Sequence, residues 1–133
     1  MSQRYMLDTN VVSHIMQGRD ADLLARLIQL PVGLVVISSI TLAELEYGLH
    51  RKGQPARLKQ AMTQVLLHMD VLPWDEAVAR CYGELCATLE AKGINFSDLD
   101  MMIAAHAVAL DATLVSRDRA FMQATDRLKL EVW

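Results

Sequence analysis

The chain has 133 residues, the length of one domain, and its 53% apolar content is that of a folded protein rather than a disordered one. Thirteen basic against sixteen acidic residues give a net charge of −3, which argues against a sequence-independent nucleic-acid coat, whose surface carries a basic surplus. The only two cysteines, Cys81 and Cys86, fall on different faces of one predicted helix, so no disulfide framework or thiolate zinc site is expected and both read as small buried residues.

The amino terminus carries no basic-then-apolar signal pattern. No uncharged apolar run approaches the ~20 residues of a membrane span, and the longest, Met101 to Leu110, is interrupted by His106. The expectation is a cytoplasmic protein in which residues 1–133 form a single domain.

Tyr5 to Leu7 reads as a short strand ending at Asp8, followed by a helix over Thr9 to Gln17 that stops at Gly18. Asp20 to Leu30 reads as a second helix with acids in its first turn and Pro31 after its end. Leu34 to Ile37 is a four-residue apolar run, a buried strand. Helices follow over Thr41 to Arg51 and over Pro55 to Met69, the second with proline in its first turn. Val71 and Leu72 form a short strand, and Asp75 to Lys92 a long helix with Gly93 beyond it. Asp98 to Leu110 is apolar nearly all round and belongs in the core. Thr113 to Ser116 is a strand, Asp118 to Thr125 a helical turn and Leu128 to Val132 a last strand.

Short apolar strands alternating with helices indicate a parallel sheet covered on both faces. Right-handed crossovers then give an α/β fold, a three-layer α/β/α sandwich. Ligands of such sheets bind beyond the carboxyl ends of the strands. Asp8 follows the first strand and Glu44 the second, Asp100 opens the apolar helix, and Asp118 follows the fourth strand.

Each acid also has a structural explanation. Thr41-x-x-Glu44 and Ser97-x-x-Asp100 fit capping boxes. Asp8 and Asp118 fit N-caps, and an acid in a first helical turn gains roughly 0.3–1 kcal/mol from the helix dipole. Caps alone, however, use serine, threonine or asparagine as readily. Four acids crowded in a partly dry cleft would repel one another by about 4 kcal/mol per pair at 4 Å and an effective dielectric near 20. A divalent cation relieves that repulsion, and hard oxygen donors without histidine or cysteine favour Mg²⁺ or Mn²⁺. Such a centre suits phosphodiester hydrolysis. Leaving out those four acids turns the net charge from −3 to +1, no obstacle to a polyanion. Arg117, Arg119 and Arg51 are candidate phosphate contacts or merely solvated cations.

These residues carry a resemblance. The segments Met6-Leu7-Asp8-Thr9-Asn10, Ser38-Ser39-Ile40-Thr41-Leu42-Ala43-Glu44-Leu45 with Gly48 after it, Asp100-Met101-Met102-Ile103-Ala104-Ala105-His106-Ala107, and Leu114-Val115-Ser116-Arg117-Asp118 with Phe121 stand in this order along the whole chain. The chain resembles PIN-domain ribonucleases, and among them the VapC-type toxins of bacterial toxin–antitoxin pairs. The resemblance implies a metal-dependent endoribonuclease that inhibits translation, a cognate antitoxin covering the acidic pocket, and a homodimer. Some related toxins cut an initiator transfer RNA, others different structured RNAs. The family's first three acids fall on Asp8, Glu44 and Asp100, and its fourth falls best on Asp118. Many relatives carry a further acid two residues later, where this chain has Ala120.

On this reading Asp8 and Asp100 ligate the metal directly, and Glu44 and Asp118 do so through water. Asn10, Ser116 and Asp98 stand behind them. Asn10 is placed to bond a metal water or to serve the helix start, Ser116 to orient a carboxylate, and Asp98 as an exposed first-turn acid or a supporting ligand. Glu46 is expected to be solvated or paired with Arg51 or another base. His106, six residues after Asp100 in an apolar helix, reads as a satisfied core histidine. Aromatic residues make up 5% of the chain, and no stacking platform for bases is evident. The alternatives are an inactive PIN-fold module that binds RNA or a partner, and an RNA-processing nuclease. A phosphatase of the haloacid-dehalogenase type would need an acid where Asn10 stands.

Overall fold

The structure is a computed structural model and describes residues 3–133. Its elements are β1 (Tyr5–Leu7), α1 (Thr9–Gln17), α2 (Ala21–Gln29), β2 (Val35–Ser38), α3 (Ser39–Arg51), α4 (Ala56–Leu66), β3 (Asp70–Leu72), α5 (Glu76–Ala91), α6 (Asp98–Ala109), β4 (Thr113–Val115), a 3₁₀ turn (Arg119–Ala124) and β5 (Leu130–Glu131). The strands form one parallel sheet in the order β3-β2-β1-β4-β5.

Strand alternation sends side chains to both faces, and both faces are buried. Met6, Val36 and Leu114 stand abreast in register and pack with Leu85 and Leu89 of α5, with α6 and with Phe121. Leu7, Val35, Ile37 and Val115 point the other way, onto Val11, Val12 and Ile15 of α1, Leu27 of α2, Leu45 and Leu49 of α3, and Val65 of α4. Helices therefore cover the sheet on both sides, the expected three-layer α/β/α sandwich. Leu114 is fully buried, and truncating it to alanine would cost about 2–5 kcal/mol. No described helix is long and apolar enough to cross a membrane.

Several boundaries differ from the sequence expectation for local reasons. Helix α3 begins at Ser39, two residues early, because Ser38 at the end of β2 accepts the Ile40 amide at 3.1 Å. Thr41 is consequently buried inside the first turn and the expected Thr41–Glu44 capping box does not form. Helix α4 ends at Leu66 rather than Met69: the amides of Leu67, His68 and Met69 turn to carbonyls three residues back, a tightening common at helix ends. Cys81 and Cys86 are half-exposed rather than buried, with Cys86 Sγ near Glu90 Oε1 at 3.5 Å.

The chain runs from β1 outward to β2 and β3, then returns to β4 and β5 on the other side. The strand order therefore switches between β1 and β4. Crevices in open α/β sheets form at such a switch point, and Asp8 and Ser116 stand there.

Candidate active site

Asp8 directly follows β1 and is only 6% exposed. It is the N-cap of α1, its Oδ1 accepting the Val11 amide at 2.9 Å. Its Oδ2 accepts from Ser116 Oγ at 2.5 Å. Burial pushes the Asp8 carboxyl above its ordinary range, the bonds from Ser116 and Val11 oppose that, and the like charges of Asp100 and Asp118 push it further up. The capping role and the proximity to other acids thus coexist at one residue.

Ser116 is fully buried. It donates to Asp8 and accepts the Asp118 amide at 3.0 Å, so one hydroxyl sets both the Asp8 carboxylate and the chain leading to Asp118. Asp118 is exposed and caps the 3₁₀ turn through the Ala120 amide at 2.9 Å.

Glu44, half-buried in α3, is not a capping-box partner. Its Oε1 lies 2.7 Å from Thr9 Oγ1, which lies 3.2 Å from Thr41 Oγ1. With one proton to give, Thr9 donates to the carboxylate and accepts from Thr41. Asp100, in the first turn of α6, is half-buried, and its amide donates to Ser97 Oγ at 3.3 Å. Asp98 and Asn10 are exposed, and Asp98 adds negative charge to the first turn of α6.

The basic residues divide differently from expectation. Arg117, although exposed, is engaged within the chain, donating to Asp20 Oδ2 at 2.6 Å and to the Trp133 carbonyl at 2.9 Å. Asp20 itself caps α2. These bonds use Nε and Nη2 and leave the Nη1 protons of this exposed guanidinium for another acceptor. Arg119 is exposed. The exposed Arg51 guanidinium lies over the Tyr47 ring, 5.4 Å from its centroid. Glu46 pairs with His50 at 3.6 Å, not with Arg51.

Sequence reasoning missed Thr9, Ser38 and Thr41 as supports, although each polar side chain at a strand end or in a first helical turn was the available signal. His106 is the expected core histidine, but only one of its ring nitrogens is satisfied among the described residues. The ring is 1% exposed, with Nδ1 2.8 Å from Ser38 Oγ, but its Nε2 has no hydrogen-bond partner among the described residues. Burial pulls its pKa below the ordinary value, so the ring is neutral. His106 ties α6, which carries Asp100, to the cap of α3, which carries Glu44.

Among the described residues, no three histidine, cysteine, aspartate or glutamate side chains already converge into a cage for a metal ion. The donor chemistry nevertheless fits a hard cation: a buried Asp8 with Asp100 and Asp118 close enough to raise its pKa. Mg²⁺ retains several waters and needs only one or two protein carboxylates.

A family model described as PIN domain matches residues 5–127. The chain is 32% identical over 130 residues to a Haemophilus influenzae protein named Ribonuclease VapC2, covering 98% of each. It is 31% identical over 130 residues to a Shigella flexneri protein named tRNA(fMet)-specific endonuclease VapC, again covering 98% of each. Its backbone is similar, at a TM-score of 0.88 and 30% identity, to a chain in the crystal structure of Rickettsia felis VapBC2 bound to a DNA fragment from its promoter, covering 98% of this chain and 99% of that one. With a parallel α/β/α sheet and a carboxylate at its switch point, and with these matches along its whole length, the chain belongs to the PIN domain family.

Proposed function

We propose that the protein is a divalent-metal-dependent endoribonuclease, the toxin of a toxin–antitoxin pair, that hydrolyses phosphodiester bonds in a structured RNA in the cytoplasm and so inhibits translation. The observation that carries this reading is the buried Asp8 at the sheet's switch point, bonded to Ser116 and facing the like charges of Asp100 and Asp118. The VapC ribonucleases among its relatives supply the reaction class, and the Shigella flexneri relative's name makes transfer RNA a candidate substrate.

On this reading Asp8 and Asp100 hold Mg²⁺ or Mn²⁺, with Glu44 and Asp118 reaching it through water. When bound, the cation supplies an acidified water and neutralises charge growing on the phosphate. Ser116 favours the ionised form of Asp8 by donating to it, and Thr9 holds the Glu44 carboxylate in place. Asn10 and Asp98 are exposed, and the exposed Arg51 and Arg119 are candidate phosphate contacts. The partner is a cognate antitoxin, as in the VapBC complexes similar in structure, and the working toxin is a homodimer.

The test is cleavage of total cellular RNA by purified protein with Mg²⁺, with Mn²⁺ and with EDTA, beside Asp8→Asn. Discrete metal-dependent bands absent from the variant support the reading. Absence of bands from a sample that mass spectrometry shows to be free of antitoxin overturns it.

A further inference from the structure

We propose that Tyr47, Gly48 and Arg51 of α3 form a stacking site for one unpaired nucleotide of the RNA beside the acidic cluster; this rests on the nuclease reading above. The cavity between α3 and the start of α6 holds about 660 Å³, within the roughly 300–1,000 Å³ of small-ligand sites. Glu44, Tyr47, Arg51 and Lys52 line one side and Leu99 and Met102 the other. The cavity therefore runs from a candidate catalytic carboxylate to two cations, across apolar and aromatic surface.

Three features of that surface suit a ligand. Tyr47 is 67% exposed and Leu99 45%. The Arg51 guanidinium lies 5.4 Å from the Tyr47 ring centroid, which holds one face of the ring, leaves the rest of this exposed side chain for a base and places a cation where a flanking phosphate would lie. Gly48 stands in the interior of α3, where glycine weakens a helix, yet an added Cβ would meet no atom within 4 Å. Close packing does not require that glycine. It leaves bare backbone in the cavity lining next to Tyr47, where a planar ring can approach closely. A base on the tyrosine with its phosphate at Arg51 and Lys52 satisfies the apolar surface and the cations together. An apolar peptide would bring no anion to Arg51 and Lys52.

The experiment measures binding of a fluorescein-labelled single-stranded decauridylate, and of a blunt RNA duplex of equal length, in EDTA. The proteins are the wild type, Tyr47→Ala, Tyr47→Phe and Gly48→Leu, each with its thermal melt, and the same four are assayed for cleavage of total RNA with Mg²⁺. Tyr47→Ala is expected to weaken single-strand binding by roughly 5- to 100-fold, with duplex binding little changed. Tyr47→Phe should retain it, because the ring and not the hydroxyl stacks. Gly48→Leu should weaken it while melting at or above the wild-type temperature, since leucine favours the helix and covers the bare backbone. In cleavage the loss should fall on KM rather than kcat. Equal single-strand affinities in all four proteins, with RNA cleavage by the wild type intact, overturn this inference and leave the nuclease reading standing. Loss of antitoxin binding by Tyr47→Ala with RNA affinity unchanged also overturns it, assigning the cavity to the antitoxin. A wild type that neither cleaves nor binds RNA overturns both readings.

Discussion

Ser116 Oγ donates to Asp8 Oδ2 at 2.5 Å across the junction of β1 and β4. The bond spans the point where the strand order reverses. It links two residues 108 positions apart and favours the charged form of the most buried acid of the candidate site, against the opposing and larger effect of burial.

Removing that bond should shift the pH dependence of activity. Ser116→Ala takes away a stabiliser of ionised Asp8, and a hydrogen bond to a charged group contributes roughly 1.5–3 kcal/mol. At 1.36 kcal/mol per pH unit, the acid limb of the pH–rate profile should move up by about one to two units. An unmoved limb in a variant that still melts cooperatively would show that Ser116 does not set the Asp8 charge.

Asp8→Asn should abolish RNA cleavage without lowering stability at pH 7. The native pKa of Asp8 lies above the ordinary 3.8, so between the two values the folded state binds more protons than the unfolded one. Stability then falls as pH rises through that window, and at neutral pH the buried charge is a cost that asparagine removes. Asparagine still caps α1 through its carbonyl oxygen. Asp8→Ala loses the cap as well and should be less stable than Asp8→Asn by about 0.5–2 kcal/mol. Urea unfolding of the two variants checks the order.

Thr9→Val keeps the shape of the side chain but removes the hydroxyl that holds Glu44. Outer partners of catalytic carboxylates typically matter by 10- to 100-fold in activity or metal affinity. A fall of about that size in kcat, with a stability loss near 1 kcal/mol for the stranded Thr41 hydroxyl, is the expected outcome of steady-state assays and melts.

Mg²⁺ or Mn²⁺ should raise the melting temperature. A ligand at 100 times its Kd adds about 2.7 kcal/mol of stability, several degrees for a domain of this size. Asp8→Asn and Asp100→Ala should abolish the shift, whereas the exposed Asp118 should matter less. Titration calorimetry with Mn²⁺ measures the ranking directly, and equal affinities in Asp100→Ala and Asp118→Ala would contradict it.

His106 should make the fold acid-sensitive. Its native pKa lies below the ordinary 6.5, so between the two values the unfolded state binds more protons. Stability is fully present above 6.5 and declines as pH falls toward the native pKa. His106→Asn, which keeps a polar group toward Ser38, should flatten the melting temperature between pH 5 and 7.

The layers and the ligand-bearing edge are legible in the residues alone. Apolar strands buried on both faces, such as Val35 to Ile37, left no alternative to a covered parallel sheet, and such a sheet carries its ligands beyond its carboxyl ends. That reasoning points to Asp8, Glu44, Asp100 and Asp118, which lie just after a strand or within the first two turns of the helix that follows one. Their environments come from long-range packing. The Thr41–Glu44 spacing fits a local cap equally well, but Ser38 had already taken that role and Glu44 turned to Thr9, 35 residues away in sequence. Arg117 read as a free cation until the fold brought Asp20 and the Trp133 carbonyl to it. His106 looked satisfied until α6 was packed against β2 with one ring nitrogen facing no partner. Periodicity and capping are short-range and repeat along the chain, so one sequence displays them. Which distant group meets a polar side chain, and how much water it loses, depends on crossovers that bring far segments together.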